Sequence, residues 1–284
     1  MPSAQPFRLA PLLHLMRIPH WLKNGLVLAP LLFSRSFHDD ALVHAAALAT
    51  LAFCLLASAI YVWNDLRDAE ADRRHQQKQR RPLAAGTVSR QTAVGLAVVL
   101  ALLSLLLLLL VPQSLPFAAG YAAINVLYSA WLKHWPWMDL LLLTVGYVIR
   151  VFAGAAVIDV EPTLWMLSAT FFLALYLATL KRFAERNLHG VEARVSLKGY
   201  SESSLRAVAL VAGAAAISCY ALFTLLVRPQ LLFTLLPAVA GVLRYGWLVL
   251  HRNGGDSPFR LLWEDRWLVA TLCLWLLGIV AGLW

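Results

Sequence analysis

Nine stretches of mainly apolar residues follow one another along the 284-residue chain, near 20–36, 41–63, 91–111, 115–131, 139–158, 163–180, 206–227, 230–250 and 267–284. A helix of about 17–25 such residues matches the hydrocarbon core of a bilayer. A backbone in that core must satisfy its own hydrogen bonds, as a helix does. The pattern predicts an all-α integral membrane protein, a bundle of nine transmembrane helices. Pro30 interrupts the first stretch, whose apolar part is short. So few residues separate the stretches that one membrane domain over 1–284 is expected. The hydrophobic fraction of 61% and mean hydropathy of +0.69 agree, lying outside the soluble globular range.

The basic residues orient this bundle. With a cytoplasmic N-terminus and every stretch crossing, the segments 64–90, 132–138, 181–205 and 251–266 fall on one side. That side gathers Arg8, Arg17 and Lys23, the run from Arg67 to Arg90, Lys133, and the cations Lys181 through Arg206, Arg252, Arg260 and Arg266. The opposite side keeps Arg35 and Arg228 beside the acidic Asp39, Asp40, Asp159 and Glu161. This is the positive-inside asymmetry of a protein of the cell (inner) membrane. The net charge of +9 is therefore topological, and nucleic acid is not an expected partner. Cys54, Cys219 and Cys273 lie inside stretches without pairing or metal spacing, as small apolar residues do. No short apolar region with a cleavage site opens the chain; the first residues, with Arg8, Arg17, His20 and Trp21, suggest an interfacial helix.

Polar residues collect at the cytoplasmic ends of particular helices. Asp65, Asp68 and Asp72 close the second stretch at steps of three and four, along one helical face, and Asn64 lies four residues before Asp68. Carboxylate and amide oxygens form a hard donor set suited to Mg²⁺, which commonly binds one or two carboxylates plus substrate phosphates. The competing account is a solvated acidic segment balanced by Arg67, Arg73 and Arg74. Lys78, Arg80 and Arg81 follow before Pro82 and Gly86 end the turn. Cations beside a metal site are what a diphosphate needs. Arg73, Arg74 and Arg80 suit anchoring to anionic lipid, and Lys78 and Arg81 suit catalysis.

A second cluster ends the sixth stretch: Tyr176, Thr179, Lys181, Arg182 and Glu185, spaced so that several share a face towards the same mouth. Snorkelling of Lys181 and Arg182 competes with a functional role. Asn125, Tyr128 and Lys133 end the fourth stretch, while Asp139, Tyr147 and Arg150 lie along the fifth. A charge as deep as Arg150 costs at least ~2.5 kcal/mol on insertion scales, so it should meet a polar cavity or a carboxylate. Arg244 and Tyr245 repeat this more weakly, and Asp265 suits a helix cap or a cation partner. Lys23 and Asn24 open the first stretch; an asparagine there should face the bundle interior.

The run Asn64-Asp65-x-x-Asp68-x-x-x-Asp72, with Arg81-Pro-Leu-Ala-Ala-Gly86 behind it, resembles the first aspartate-rich motif of the UbiA superfamily of intramembrane prenyltransferases. The resemblance covers essentially the whole chain. It implies nine helices around a lipid-open cavity, with a cytoplasmic polar cap holding Mg²⁺-diphosphate. Where that superfamily carries a second aspartate-rich motif, this chain has Lys181-Arg182-Phe-Ala-Glu185. A cationic wall facing a metal wall suits two phosphorylated substrates. Arg17-x-x-His-Trp-Leu-Lys-Asn24, Tyr128-Ser-x-x-Leu-Lys133 with Asp139, Tyr147-x-x-Arg150 and Gly199-Tyr200-Ser201 are similar to the polyprenyl-phosphate phosphoribosyltransferase branch, the decaprenylphosphoryl 5-phosphoribose synthases. His20 in place of glutamine and Gln76 in place of proline after His75 depart from that branch.

The resemblance implies transfer of 5-phosphoribose from phosphoribosyl pyrophosphate to a polyprenyl phosphate, a step towards arabinosyl donors of the cell wall. Asn64, Asp65, Asp68 and Asp72 would hold Mg²⁺, with Asp65, Asp68, Lys78 and Arg81 catalytic. Lys23, Asn24, Tyr128, Lys133, Tyr147, Arg150, Lys181 and Arg182 would bind the substrates. The alternative within the fold is prenyl transfer from a prenyl diphosphate to an aromatic acceptor. That reading wants acids in the 181–200 segment, which offers Glu185 and Glu192. A lipid transporter or scaffold would show repeated halves with helices interrupted near the midplane; no such symmetry is visible.

Overall fold

The computed structural model describes residues 9–74, 78–191, 195–252, 261 and 264–284. Arg8, His75, Gln76, Glu192, Arg194 and Arg260 lie outside them, as does the side chain of Arg252. The described residues form helices and turns without a strand. In chain order the α-helices are α1 (Leu9–Met16), α2 (Ala29–Ser34), α3 (Asp40–Arg73), α4 (Arg90–Leu110), α5 (Leu115–Ala130), α6 (Met138–Val157), α7 (Leu164–His189), α8 (Glu202–Leu226), α9 (Leu235–Arg252) and α10 (Arg266–Leu283).

Side-chain caps explain several starts. Asp39 accepts from the amides of Ala41 and Leu42 ahead of α3, Ser89 from Thr92, Thr163 from Met166, and Asp265 from Leu268. Ser201 and Ser204 close a reciprocal capping box at α8. Each meets amide donors that a helix's first turn leaves without partners. Buried α3 positions are mostly small: Ala46, Ala49, Ala52 and Ala57 let neighbouring helices approach closely. By contrast, α4 turns Leu102, Leu103, Leu106 and Leu109 outward, an apolar face suited to lipid. One core joins α3, α5, α6 and the 3₁₀ segment Ile18–Leu28 around Phe53, Tyr121, Ala153 and Val27. A second joins α7, α8 and α9 around Leu180, Phe183, Leu205 and Val249.

Among the described residues, seven helical segments are long and apolar enough to cross a membrane. The two other expected spans differ from regular long helices. Residues 20–36 fold as a 3₁₀ helix, Ile18–Leu28, followed by the short α2. A distant residue shapes it: Gly154 of α6 lies so close that a Cβ there would stand 1.8 Å from the carbonyl oxygen of Val27. The segment is thus pressed backbone-first onto α6, and Pro30 starts α2 afresh. The expected span at 115–131 is the 16-residue α5, preceded by a 3₁₀ turn at Pro112–Ser114.

At 34 residues, α3 is about 51 Å long at 1.5 Å per residue, against a hydrocarbon core of about 30 Å. Its last turns therefore reach past the apolar layer, and those turns carry the aspartates.

Candidate active site

The C-terminal turns of α3 form one wall of a polar mouth. Asp65 and Asp72 are buried, whereas the Asp68 side chain is about a third exposed. Arg81, brought back by the turn ending at Pro82, joins the buried pair: its Nη1 donates to Asp65 Oδ1 at 3.1 Å and to Asp72 Oδ2 at 2.8 Å. Gly86, at φ +72°, supplies the left-handed residue this turn needs. Lys78 stands at the start of the same turn, partly buried. Lys133 reaches across from the α5–α6 turn and donates to both Asp68 oxygens at 3.1 Å.

Arg17 also reaches this wall, a role the sequence did not signal. Its Nη2 meets Asp65 Oδ1 at 2.5 Å, with the guanidinium 4.9 Å from the Tyr61 ring centre. The residue takes a left-handed backbone, φ 52° and ψ 48°, at the junction between α1 and the 3₁₀ segment. Ser58 fixes that junction by donating to the Met16 carbonyl and accepting from Trp21 Nε1.

Asn64 Oδ1 is buried without a hydrogen-bond partner. A spare amide oxygen beside Asp65 and Asp68 fits a hard divalent cation. Among the described residues no three carboxylate, histidine or cysteine groups converge on one point. A cation here would accordingly complete its shell with water or substrate phosphate, as Mg²⁺ does.

Deeper in, Asn24 is fully buried, as expected, and faces Arg150. Arg150 Nε donates to Asn24 Oδ1 at 2.7 Å, Nη1 to the Gly146 carbonyl at 2.7 Å and Nη2 to the Tyr121 hydroxyl at 3.0 Å. Its guanidinium lies 4.5 Å from the Tyr121 ring centre and 5.5 Å from that of Tyr147. Among the described residues no carboxylate pairs with it, so a buried cation is held by neutral acceptors. Lys23 has Arg150 and Arg17 as charged neighbours, and His20 has Lys23, Arg17 and Lys181. The 3₁₀ segment, α6 and α7 thus bring their cations to one place. Like charges so close in a partly dry site favour an anion among them.

The second cluster divides. Lys181 stays half-exposed at 40% and lies 3.7 Å from Glu185. Arg182, expected at the substrate, is instead 2% exposed: Nε donates to Asp139 Oδ2 at 2.9 Å and Nη1 to Glu185 Oε2 at 2.7 Å. Tyr128 is within electrostatic reach of it. Tyr176 turns away from the mouth and donates to the Val242 carbonyl, in a slot left open by Gly213 and Gly246. Asp265 takes both roles considered for it, capping α10 and receiving Arg244 through two bonds at 3.2 and 2.6 Å.

An all-helical bundle with membrane-length helices and aspartates at the end of one of them agrees with the family comparison: residues 26–272 match the UbiA prenyltransferase family, to which this chain belongs. Within it, the chain is similar to decaprenyl-phosphate phosphoribosyltransferases. It is 33% identical to that of Corynebacterium glutamicum, covering 95% of this chain and 85% of the relative, and 34% identical to that of Mycolicibacterium smegmatis, covering 96% and 92%. A solved UbiA homologue from Archaeoglobus fulgidus bound to GPP and Mg²⁺ superposes with a TM-score of 0.75 at 21% identity, covering 96% of this chain and 98% of that one. The chain is a transferase of this family.

Proposed function

We propose that this protein transfers 5-phosphoribose from phosphoribosyl pyrophosphate to a polyprenyl phosphate and releases diphosphate. What supports the reading is the cationic wall of Arg17, Lys23, Arg150 and Lys181, which bear on one another or on His20, in a chain whose relatives bear that activity in their names. A neutral aromatic acceptor would give such a wall nothing to bind, whereas an anionic lipid headgroup or a ribose 5-phosphate does.

In the reaction an oxygen of the lipid phosphate bonds to the anomeric carbon as the bond from that carbon to the diphosphate oxygen breaks. Asp65 and Asp68, with Asn64 and Asp72 behind, would hold Mg²⁺, which would neutralise charge on the diphosphate. Arg81 and Lys78 bear on the charge that grows on the leaving group, an effect commonly dominant in such chemistry. The acceptor phosphate is already anionic, so positioning replaces a strong base. Lys23, Asn24, Lys133, Arg150 and Lys181 take the two phosphates, while Tyr128 and Tyr147 line their approach.

The whole chain acts as one membrane domain in the inner membrane, with the mouth and the N-terminus cytoplasmic. Nine crossings are consistent with segment lengths. Eleven 3₁₀ residues and the six of α2 span about 31 Å at rises of 2.0 and 1.5 Å. Three 3₁₀ residues and the sixteen of α5 give about 30 Å on the same rises.

The test incubates purified protein and Mg²⁺ with phosphoribosyl pyrophosphate labelled in the ribose and a long-chain polyprenyl phosphate. Label entering the lipid extract, and lost with EDTA, is the expected result. No incorporation, with prenyl transfer from a prenyl diphosphate to an aromatic acid instead, would overturn the proposal.

A further inference from the structure

At the start of α6 the backbone is forced. Trp137 holds φ 66° and ψ −41°, a region an L-residue with a bulky side chain rarely enters. Such a conformation persists where surrounding contacts over-determine it. Here the Trp137 amide donates to the Tyr200 hydroxyl at 2.9 Å, and the two rings meet edge to face at 4.9 Å. The Tyr200 hydroxyl in turn donates to Asp139 Oδ1. Gly199 sits so close to Pro136 that a Cβ would fall 2.1 Å from its Cγ.

Asp139 is fully buried, and its second oxygen accepts from Arg182 Nε and from Ser196 Oγ at 3.2 Å. Arg186 Nη1 donates to the carbonyls of Tyr200 at 2.6 Å and Leu197 at 3.3 Å. Burial first, then the Asp139 carboxylate, raises the Tyr200 hydroxyl well above its ordinary range. It therefore stays protonated, giving to Asp139 while accepting from Trp137. The turn that this node grips also carries Lys133, within the 3₁₀ turn Leu132–His134, whose ammonium crosses the mouth to Asp68.

We infer that Tyr200, backed by Asp139 and Arg182, is a positioning residue: it holds the strained 131–137 turn so that Lys133 points into the mouth. This rests on the reading that Lys133 contacts a substrate phosphate there. Tyr200 itself touches no reacting atom. The basic replacement of the second acidic motif thereby has two separate uses, Arg182 inward to the node and Lys181 outward to the mouth.

The experiment is a double-mutant cycle on the full-length protein, scored by the KM for each phosphorylated substrate. Tyr200→Phe keeps the ring but removes the hydroxyl. It should raise the KM that Lys133→Ala raises, by about three- to tenfold, the scale of one lost hydrogen bond, with kcat changed less. In the Lys133→Ala background the same change should add less than about twofold, because residues acting through one group are not additive. Adding Trp137→Gly to Tyr200→Phe should return KM towards wild type, since glycine holds that backbone unaided. Ser196→Ala, a milder loss at Asp139, should follow the same non-additive pattern if Tyr200→Phe fails to fold. Full additivity with Lys133→Ala, or absence of rescue by Trp137→Gly, would overturn the positioning role. A Lys133→Ala protein with unchanged KM for both substrates would remove the reading of the mouth beneath it, a distinct outcome.

Discussion

Three arginines settle their charge in three ways, and the differences predict what each substitution does. Arg182 is neutralised inside by Asp139 and Glu185, Arg150 is held by neutral oxygens and rings, and Arg17 covers a carboxylate that the proposed reaction needs. The Arg17 side chain is 24% exposed, and Asp65 keeps Arg81 when it is lost. Arg17→Ala should therefore cost less than the ~3–5 kcal/mol of leaving a buried carboxylate without its partner, because Arg81 remains. Two binding effects of opposite sign should follow: tighter Mn²⁺ binding to the protein alone, read by electron paramagnetic resonance, and weaker binding of phosphoribosyl pyrophosphate. If both affinities are unchanged, Arg17 is a structural contact only. Asp68→Asn should abolish transfer while leaving membrane insertion and thermal unfolding unaltered, because that carboxylate is partly exposed and packs against no core. Retained activity would remove Asp68 from the site. Residue types and spacing singled out the aspartates, Lys133 and Arg150, and the structure brings Lys133 to Asp68, Arg81 to Asp72 and Arg150 to Asn24. Arg17 was not, because its reach depends on a left-handed backbone at a helix junction, which spacing does not encode.

The 3₁₀ segment Ile18–Leu28 is the element whose identity and form part company. Its apolar pattern and Pro30 showed a span-like stretch with a break. The backbone geometry depended instead on Gly154, more than a hundred residues away, where the missing Cβ admits the Val27 carbonyl. Runs of 3₁₀ helix beyond three or four residues are uncommon, and often mark strain or a hinge. Here that form seats Asn24 under Arg150. Gly154→Ala must push the segment off α6, since the obstructing atom is backbone and cannot rotate aside. A loss at or beyond the ~1–3 kcal/mol of ordinary overpacking is expected, read as a lowered unfolding temperature in detergent, together with reduced transfer. Gly95→Ala on α4 meets nothing within 4 Å and should be neutral or slightly stabilising. Equal effects of the two alanines would show that the close approach does not matter.

On the scale of the whole molecule, charge and length speak to the same topology from different directions. Lys133–Asp68 ties the α5 end to the α3 end across the mouth, and Arg182–Asp139 ties the α7 end to the start of α6, so these ends lie on one side of the bundle. Among the described residues seven helical segments are long and apolar enough to cross, and Ile18–Ser34 and Leu115–Ala130 are the two expected spans outside that number. Parity cannot decide, since seven and nine crossings both put the chain ends on opposite sides. Positions next to the two irregular segments can. If Ile18–Ser34 crosses, Asp40→Cys should label with a membrane-impermeant maleimide added outside intact cells while His14→Cys labels only after the membrane is opened. If Leu115–Ala130 crosses, Gln113→Cys should label outside, and His134→Cys only after the membrane is opened. The native Cys54 is buried, whereas Cys219 and Cys273 sit within α8 and α10, away from the aqueous ends. Labelling of residues 14 and 134 from outside intact cells would show that neither segment crosses, because α3 and α4 fix residues 40 and 113 opposite the mouth in either case.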